Sequence, residues 1–323
     1  MTAQTHRISD RKVTHEPLVS VIIVTYHNET TIAACLTSLV AYSAIPWEAV
    51  VVDNSSDLAT WECIQAVQRS HPDISLTSLR PGHNLGFAAG CNLGAQHARG
   101  DFLLFLNPDT RLENDILAVF LSYWEKNKHV GLLGPCVLDA RGQIERTCRN
   151  LPSILRIFLD ATGLDRLAGQ YRLLHFDHQA IRQVPQIIGA CLFTSRQRYQ
   201  SCNGMDERFF IYFEEVDLCR RMFQSGYSVW FLPTARIMHV AGVSCESESS
   251  AAHMIVQLRK SRQLYFRKHC TQATVFVIAA ISILEGWTKA FIFFARYLVR
   301  KKKRDLEKAK GFWRVATCLA SWL

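Results

Sequence analysis

The sequence predicts an α/β fold built on a mostly parallel sheet, and three observations carry that expectation. Apolar, β-branched runs recur at 18–25 (LVSVIIVT), 47–53 (WEAVVVD) and 101–106 (DFLLFL). They are too apolar to have one wet face, which suits strands buried on both sides. Segments of helical period separate them, at about 30–40, 58–69 and 85–98, with a weaker strand at 74–79. This alternation is that of βαβ units with right-handed crossovers. Three strands also end in polar residues: Thr25-Tyr26-His27-Asn28, Asp53-Asn54-Ser55 and Asn107-Pro108-Asp109. In such sheets ligands bind at the carboxyl ends of strands. One polar strand end is only a turn; three together favour a polar site along one edge.

The second half is less regular. Residues 153–184 are helical and looped without a clear period, and a buried strand is expected at 186–195 (QIIGACLFTS). A helix at 214–225 ends at Gly226, a short strand follows at 227–232, and 253–269 is a basic helical stretch.

Composition excludes several classes. Of 323 residues, 49% are hydrophobic and 20% charged, with 16 Gly and 9 Pro, so the chain is neither disordered nor of low complexity. The net charge of +9 is unevenly spread: residues 1–258 carry 22 Lys/Arg against 25 Asp/Glu, and residues 259–323 carry 15 against 3. A uniformly basic nucleic-acid surface is not expected, and no base-stacking motif accompanies the lysines. Eleven cysteines without a C-x-x-C pair fit buried thiols in a reducing compartment rather than disulfides or a zinc site. Residues 1–16 hold charges but no apolar core, and are read as a loose arm rather than a signal peptide.

Three constellations carry candidate chemistry. Asp109, directly after a strand, suits a hard divalent cation, though Asn107-Pro108-Asp109 also reads as a plain Asx/Pro turn. His239 gains meaning only as a second ligand beside Asp109. Glu214, Glu215 and Asp217 open a helix after the aromatic run Phe209, Phe210, Tyr212 and Phe213. Acids at that position cap helices, but burial beside an aromatic wall also raises a carboxyl pKa toward general-base work. Arg220 and Arg221 stand one turn on, within reach of Asp217. The segment 82–92 (GHNLGFAAGCN) has neither the spacing of a dinucleotide site nor the Lys of a P-loop. Its small residues suit close packing against a nucleotide, or simply a tight connection.

In order, LVSVIIVTYHN, VVDNSS, GHNLGFAAGCNLG, FLNPDT, GACLFTSRQRYQSCNGMDERFFIYFEEVDLCRR and HVAGVS resemble the family 2 inverting glycosyltransferases of GT-A fold, over roughly residues 18–244. The Asn-Pro-Asp variant and the FFIYFEEVDLCRR segment resemble the rhamnosyltransferase-type subgroup of bacterial surface-polysaccharide synthesis. The resemblance implies a nucleotide-diphospho-sugar transferase with a Rossmann-like sheet. It implies that Thr25, Tyr26 and Asp53 contact base and ribose, and that Asn84, Gly86 and Asn92 lie beside nucleotide and donor sugar. Asn107 and Asp109 match the D-x-D position, with Asp109 a ligand of Mg²⁺ or Mn²⁺, and His239 matches a late His that helps bind metal and diphosphate. Glu214-Glu215 match a Glu-Asp motif whose second acid is the base. That acid is Glu215 here, one methylene longer, so the choice between the two stays open. The implied donor is a nucleotide-sugar, best dTDP-rhamnose; galactofuranose, glucose or N-acetylglucosamine donors, or a non-catalytic membrane-bound scaffold, are the alternatives.

Residues 273–298 are almost wholly apolar, broken by Glu285, Gly286 and Lys289, and flanked by Arg259, Lys260, Arg262, Arg267, Lys268 and by the cluster 300–304. Their length would cross a bilayer. A charge at the centre is costly unless Lys289 pairs with it, Gly286 offers a break, and basic residues on both sides favour one face of the membrane. The expectation is two helices lying in or dipping into the inner leaflet, with Trp287, Trp313 and Trp322 near the headgroups. This gives an arm (1–16), a GT-A catalytic domain (17–252) and a C-terminal helical membrane-association region (253–323) on the cytoplasmic face of the plasma membrane. The partners expected are an anionic membrane surface and a polyprenyl-diphosphate-linked sugar acceptor, with no nucleic acid and with a homodimer as an open option.

Overall fold

The computed structural model of the chain describes residues 18–240 and 250–318. The arm expected at 1–16, the end of the HVAGVS motif and Trp322 lie outside them.

The first half alternates as expected. β1 (Val19–Thr25), β2 (Trp47–Asp53), β3 (Ser75–Leu79) and β4 (Phe102–Leu106) pair in parallel in the order β3-β2-β1-β4. They are linked by α1 (Ile32–Tyr42), α2 (Ala59–Ser70) and α3 (Phe87–His97). β1 is buried along its whole length, which is why its sequence shows no alternation.

The sheet then changes sense. The run expected as one strand at 186–195 is two: β10 (Gln186–Ile187) pairs with β8 (Cys148–Arg149), and β11 (Cys191–Ser195) runs antiparallel to β4. Gly189 lies between them, where the chain leaves one sheet and joins the other. β11 continues to β6 (Val130–Leu138), β12 (Ser228–His239) and β5 (Thr110–Leu112), completing a ten-stranded sheet with β7 (Ile144–Glu145) and β9 (Arg182–Gln183) at its side. β12 is much longer than the strand expected at 227–232, because register shifts let it pair with β6 past Leu232 and then with β5. β6 and α4 (Ile116–Lys126) fall in 110–152, where the sequence offered no motif.

Apolar clusters fill both faces of the sheet. A third cluster joins α5 (Ile154–Thr162) and α8 (Glu214–Gln224) to α9 (Ser250–His269) and α10 (Gln272–Arg300). It contains Ile157, Phe209, Phe213, Val216, Tyr265, Phe266, Val275 and Ile278. The C-terminal helices therefore share a core with the acid-bearing helix, and α9 begins three residues before the expected boundary at 253.

Gly286 does not break α10, which is a single helix of 29 residues. Its missing side chain admits α11 (Lys303–Cys318): a Cβ there would lie 2.9 Å from the backbone nitrogen of Ala316. Glu285 points inward, 4% exposed, against Arg259 (2.5 Å), Arg262 (3.0 Å) and Lys289 (2.7 Å). The opposite face of α10 shows Leu284, Trp287, Phe291, Ile292, Leu298 and Val299 to the outside. Trp287 meets Trp313 of α11 edge-on, with ring centroids 4.7 Å apart.

No disulfide forms among the described residues, and burial drives the thiols of Cys35, Cys148 and Cys219 up to about 12.

Candidate active site

Adjacent parallel strands end together, so β1 and β2 bring Thr25 and Asp53 side by side in register. Thr25 Oγ1 donates to Asp53 Oδ1 (3.0 Å), which also accepts the Ser55 N–H (3.0 Å). Asp53 Oδ2 is buried without a hydrogen bond, with Arg80 Nε at 3.6 Å. Tyr26 beside it is half exposed. A buried acceptor with a spare lone pair next to an exposed ring suits a ribose and its base.

The 82–92 segment locks against the loop that precedes α8. Gly86 adopts φ +85°, and a Cβ there would lie 2.4 Å from the Phe210 carbonyl oxygen, which accepts the Phe87 N–H (2.7 Å). Asn84 Oδ1 accepts the Gly86 N–H (2.9 Å) and shapes the turn. Asn92 is committed internally: its amide donates to the Met205 carbonyl (2.8 Å) and Glu207 (2.9 Å), and its oxygen accepts from Tyr199 Oη (2.5 Å). It bolts α3 to the 199–207 segment. Gly86→Ala is therefore expected to lower stability by about 2 kcal/mol and to weaken nucleotide binding. Gly82→Ala, with similar φ but nothing within 4 Å, should show only the backbone cost. Thermal unfolding and calorimetry distinguish the two.

The antiparallel register of β5 and β12 sets His239 opposite Thr110, next to Asp109. Asp109 Oδ1 lies 3.3 Å from His239 Nε2, and His239 Nδ1 lies 3.6 Å from Glu145. Burial works against the imidazolium, but the two carboxylates outweigh it and hold His239 up at about 9. Asp109 Oδ1 and His239 Nδ1 are buried without an aligned hydrogen bond. The unsatisfied Asp109 carboxylate oxygen fits a hard divalent cation, which His239 Nε2 beside it could join only on losing its proton. Among the described residues no three His, Cys, Asp or Glu side chains form a complete cage. Water and phosphate oxygens would fill the rest of the shell.

A chain of contacts connects this pair to the acids of α8. The Asn107 N–H donates to the Ala190 carbonyl (2.9 Å), tying the Asn-Pro-Asp turn to the β10–β11 link. The neighbouring Gly189 faces Glu215, and a Cβ on it would stand 3.6 Å from that of Glu215. Tyr212 and Phe213, just before the acids, both adopt left-handed φ (70° and 69°). Such conformations cost bulky residues about 1–3 kcal/mol each, and persist only where packing over-determines them. Here Phe213 is clamped against Tyr265 of α9, and the Ile211 carbonyl accepts Ser261 Oγ (2.8 Å).

The three acids of this turn differ. Glu214 is buried beside Cys91 of α3; burial and then the charge of Glu215 push its carboxyl well up. Glu215 is less buried and also raised, chiefly by burial, with Arg149 pulling the other way. One carboxylate oxygen of each lacks a hydrogen bond. Asp217 is not in this constellation. It is fully buried and held by Arg221 (2.7 Å), Lys268 (2.8 Å) and His269 (2.7 Å), and so joins α8 to the end of α9. Of the expected arginines only Arg221 reaches it; Arg220 donates to Tyr265 Oη and the His269 carbonyl.

Glu145 and Arg149 were not expected. Both sit on two-residue strands in QIERTCRN, where no motif or period marks them; only the pairing of β7 with β6 and of β8 with β10 places them.

The sheet has the topology of the GT-A fold, with acids at its polar edge. Residues 20–179 match the model of Glycosyl transferase family 2. The chain is 27% identical over 242 residues (69% of its length, 76% of the relative) to N-acetylglucosaminyl-diphospho-decaprenol L-rhamnosyltransferase of Mycobacterium tuberculosis. It is 23% identical over 235 residues (69% and 84%) to the rhamnosyltransferase WbbL of Escherichia coli K12. The fold is shared with the mannosyltransferase PcManGT of Pyrobaculum calidifontis, solved with GDP-Man and Mn²⁺, at TM-score 0.58, 15% identity and coverage of 94% of this chain and 87% of that one. The chain carries a glycosyltransferase family 2 domain over residues 20–179 and is similar to rhamnosyltransferases.

Proposed function

We propose that the chain is a metal-dependent, inverting glycosyltransferase. It moves a sugar, L-rhamnose from dTDP-rhamnose, to a lipid-linked glycan in surface-polysaccharide synthesis. The observation that carries this is the continuity of Asp109–His239, Asn107, Ala190–Gly189 and Glu215 along one edge. The rhamnosyl donor and lipid-diphosphate acceptor rest on the names of the relatives above.

Thr25, Tyr26 and Asp53 bind base and ribose, and Asn84, Gly86 and Asn107 border the nucleotide and donor sugar, while Asn92 secures that segment from behind. Asp109 and His239 hold Mg²⁺ or Mn²⁺, which when bound neutralises charge developing on the leaving diphosphate. Glu215 takes the proton of the acceptor hydroxyl as that oxygen attacks the anomeric carbon from the face opposite the diphosphate. The lesser burial of Glu215 favours it over Glu214, which lies against α3 and whose neutral form is favoured by burial and by the charge of Glu215. Asp217 acts as a scaffold.

The outward apolar face of α10, with Trp287 and Trp313 and the basic cluster 300–304, supports association with an anionic membrane on the cytoplasmic side. α10 is long and apolar enough to cross a membrane, but its inner face is taken by α9 and α11, which favours lying on the surface.

A panel of nucleotide-sugars incubated with the purified full chain, divalent metal and membranes, and scored for nucleoside-diphosphate release, tests this. dTDP-rhamnose is expected to turn over and chelation to stop it. Turnover of a different sugar reassigns the donor; turnover of none refutes the reading.

A further inference from the structure

Apart from that edge, the loop before α8 and the outer side of α9 border an open, solvent-facing cavity of about 360 Å³. Arg208, Lys260 and Arg267 line it above Phe210 and Leu264, and no acid does. Arg208 is set in place by Asp206 (2.6 Å), whose carboxylate Lys268 also reaches (2.7 Å). Arg267 makes no ion pair or hydrogen bond among the described residues. The floor is the same Phe210 that closes over Gly86, so the cavity adjoins the donor-facing turn.

We propose that this cavity binds the diphosphate joining the acceptor's sugar to its lipid chain. The inference rests on the lipid-linked acceptor proposed above. Guanidinium forks match phosphate oxygens, and a diphosphate brings counter-charge to Arg267 beside Arg208, whose fork Asp206 orients. The acceptor has three parts in order: apolar chain, diphosphate, sugar. The protein offers three surfaces in the same order along packed elements. They are the exposed apolar face of α10 and α11, the cationic cavity on α9, and Glu215 on α8, whose preceding loop Ser261 of α9 holds.

The test is binding of farnesyl diphosphate, with farnesol as control, to the full chain in detergent with metal chelated. Wild type is expected to bind the diphosphate more tightly than the alcohol, and Arg267→Glu and Lys260→Glu each to weaken it about tenfold. Asp109→Ala should leave it unchanged, as should binding of Arg267→Glu to phosphatidylglycerol vesicles. Absence of wild-type binding, an unchanged affinity in both variants, an equal loss in Asp109→Ala, or a parallel loss of vesicle binding overturns the proposal. These place the diphosphate nowhere on the protein, elsewhere on it, in the donor site, or at a headgroup site. Should Arg267→Glu fail to melt like wild type, Arg267→Gln replaces it. Release of nucleoside diphosphate from donor without acceptor tests the transferase reading separately, and Arg267→Glu should leave it intact.

Discussion

Glu215→Gln is expected to lower kcat by about 10²–10⁴-fold while nucleotide affinity stays within twofold, the range lost with a positioned general base. The substitution keeps the shape and the approach to Gly189 but removes the proton acceptor. Glu214→Gln should cost far less: Glu214 is pressed against α3, and burial and the neighbouring acid already favour its neutral form. A dead Glu214→Gln beside an active Glu215→Gln would exchange the two roles. The pH profile gives a second readout. Burial raises Glu215 above its ordinary value of 4.5, so activity should fall as pH drops through a point higher than that, and the limb should vanish in Glu215→Gln. The sign for stability is opposite to that of a salt-bridged acid. A carboxyl raised by burial weakens the fold as pH climbs past its unfolded value, because the folded state holds its proton longer.

Glu285→Leu is expected to destabilise the C-terminal helices by about 3–5 kcal/mol, the usual cost of removing one partner from a buried ion cluster. Arg259 and Arg262 would remain buried without a counter-charge, since each is under a tenth exposed. Three cations hold Glu285 well below its ordinary range against the opposing effect of burial. Its contribution is therefore complete above the unfolded carboxyl value and lost as pH falls through the depressed folded one. Thermal unfolding and limited proteolysis near α10 measure the loss. Transfer should fall with it, because Tyr265 and Ser261 of α9 clamp the left-handed turn at Tyr212 and Phe213 that aims the acids. Retained activity in a chain cut before α9 would contradict this coupling.

β1, β2 and β4 are legible because they are buried on both faces and announce themselves as continuous apolar runs, whereas β3 (SLTSL) is the half-exposed edge strand and gives a weaker signal. Thr25, Asp53 and Asp109 were legible because strand ends are where such sheets carry polar groups. β12 runs past the strand expected at 227–232 because Pro233 and the irregularity between Leu232 and Arg236 mimic a strand end, while Arg236–Met238 resume pairing with β6 and Ile237–His239 pair with β5. Glu145 and Arg149 left no signal: two-residue strands have no period, and their placement is set by pairing partners far away in sequence. Asp217 looked like Glu214 and Glu215 because helix N-termini collect acids for several reasons. Only the partners on α9 separate a scaffold from a base. Gly286 read as a break because composition does not distinguish a kink from a close helix crossing.

Transfer by a single displacement, driven by Glu215 at one edge of the sheet, fixes the outcome at the anomeric carbon. The anomeric configuration of the product, read by proton NMR against that of the donor, tests it most directly. Inversion is predicted, with no glycosylated enzyme detectable by mass spectrometry. Retention of configuration, or a sugar covalently bound to Glu214 or Glu215, would contradict it.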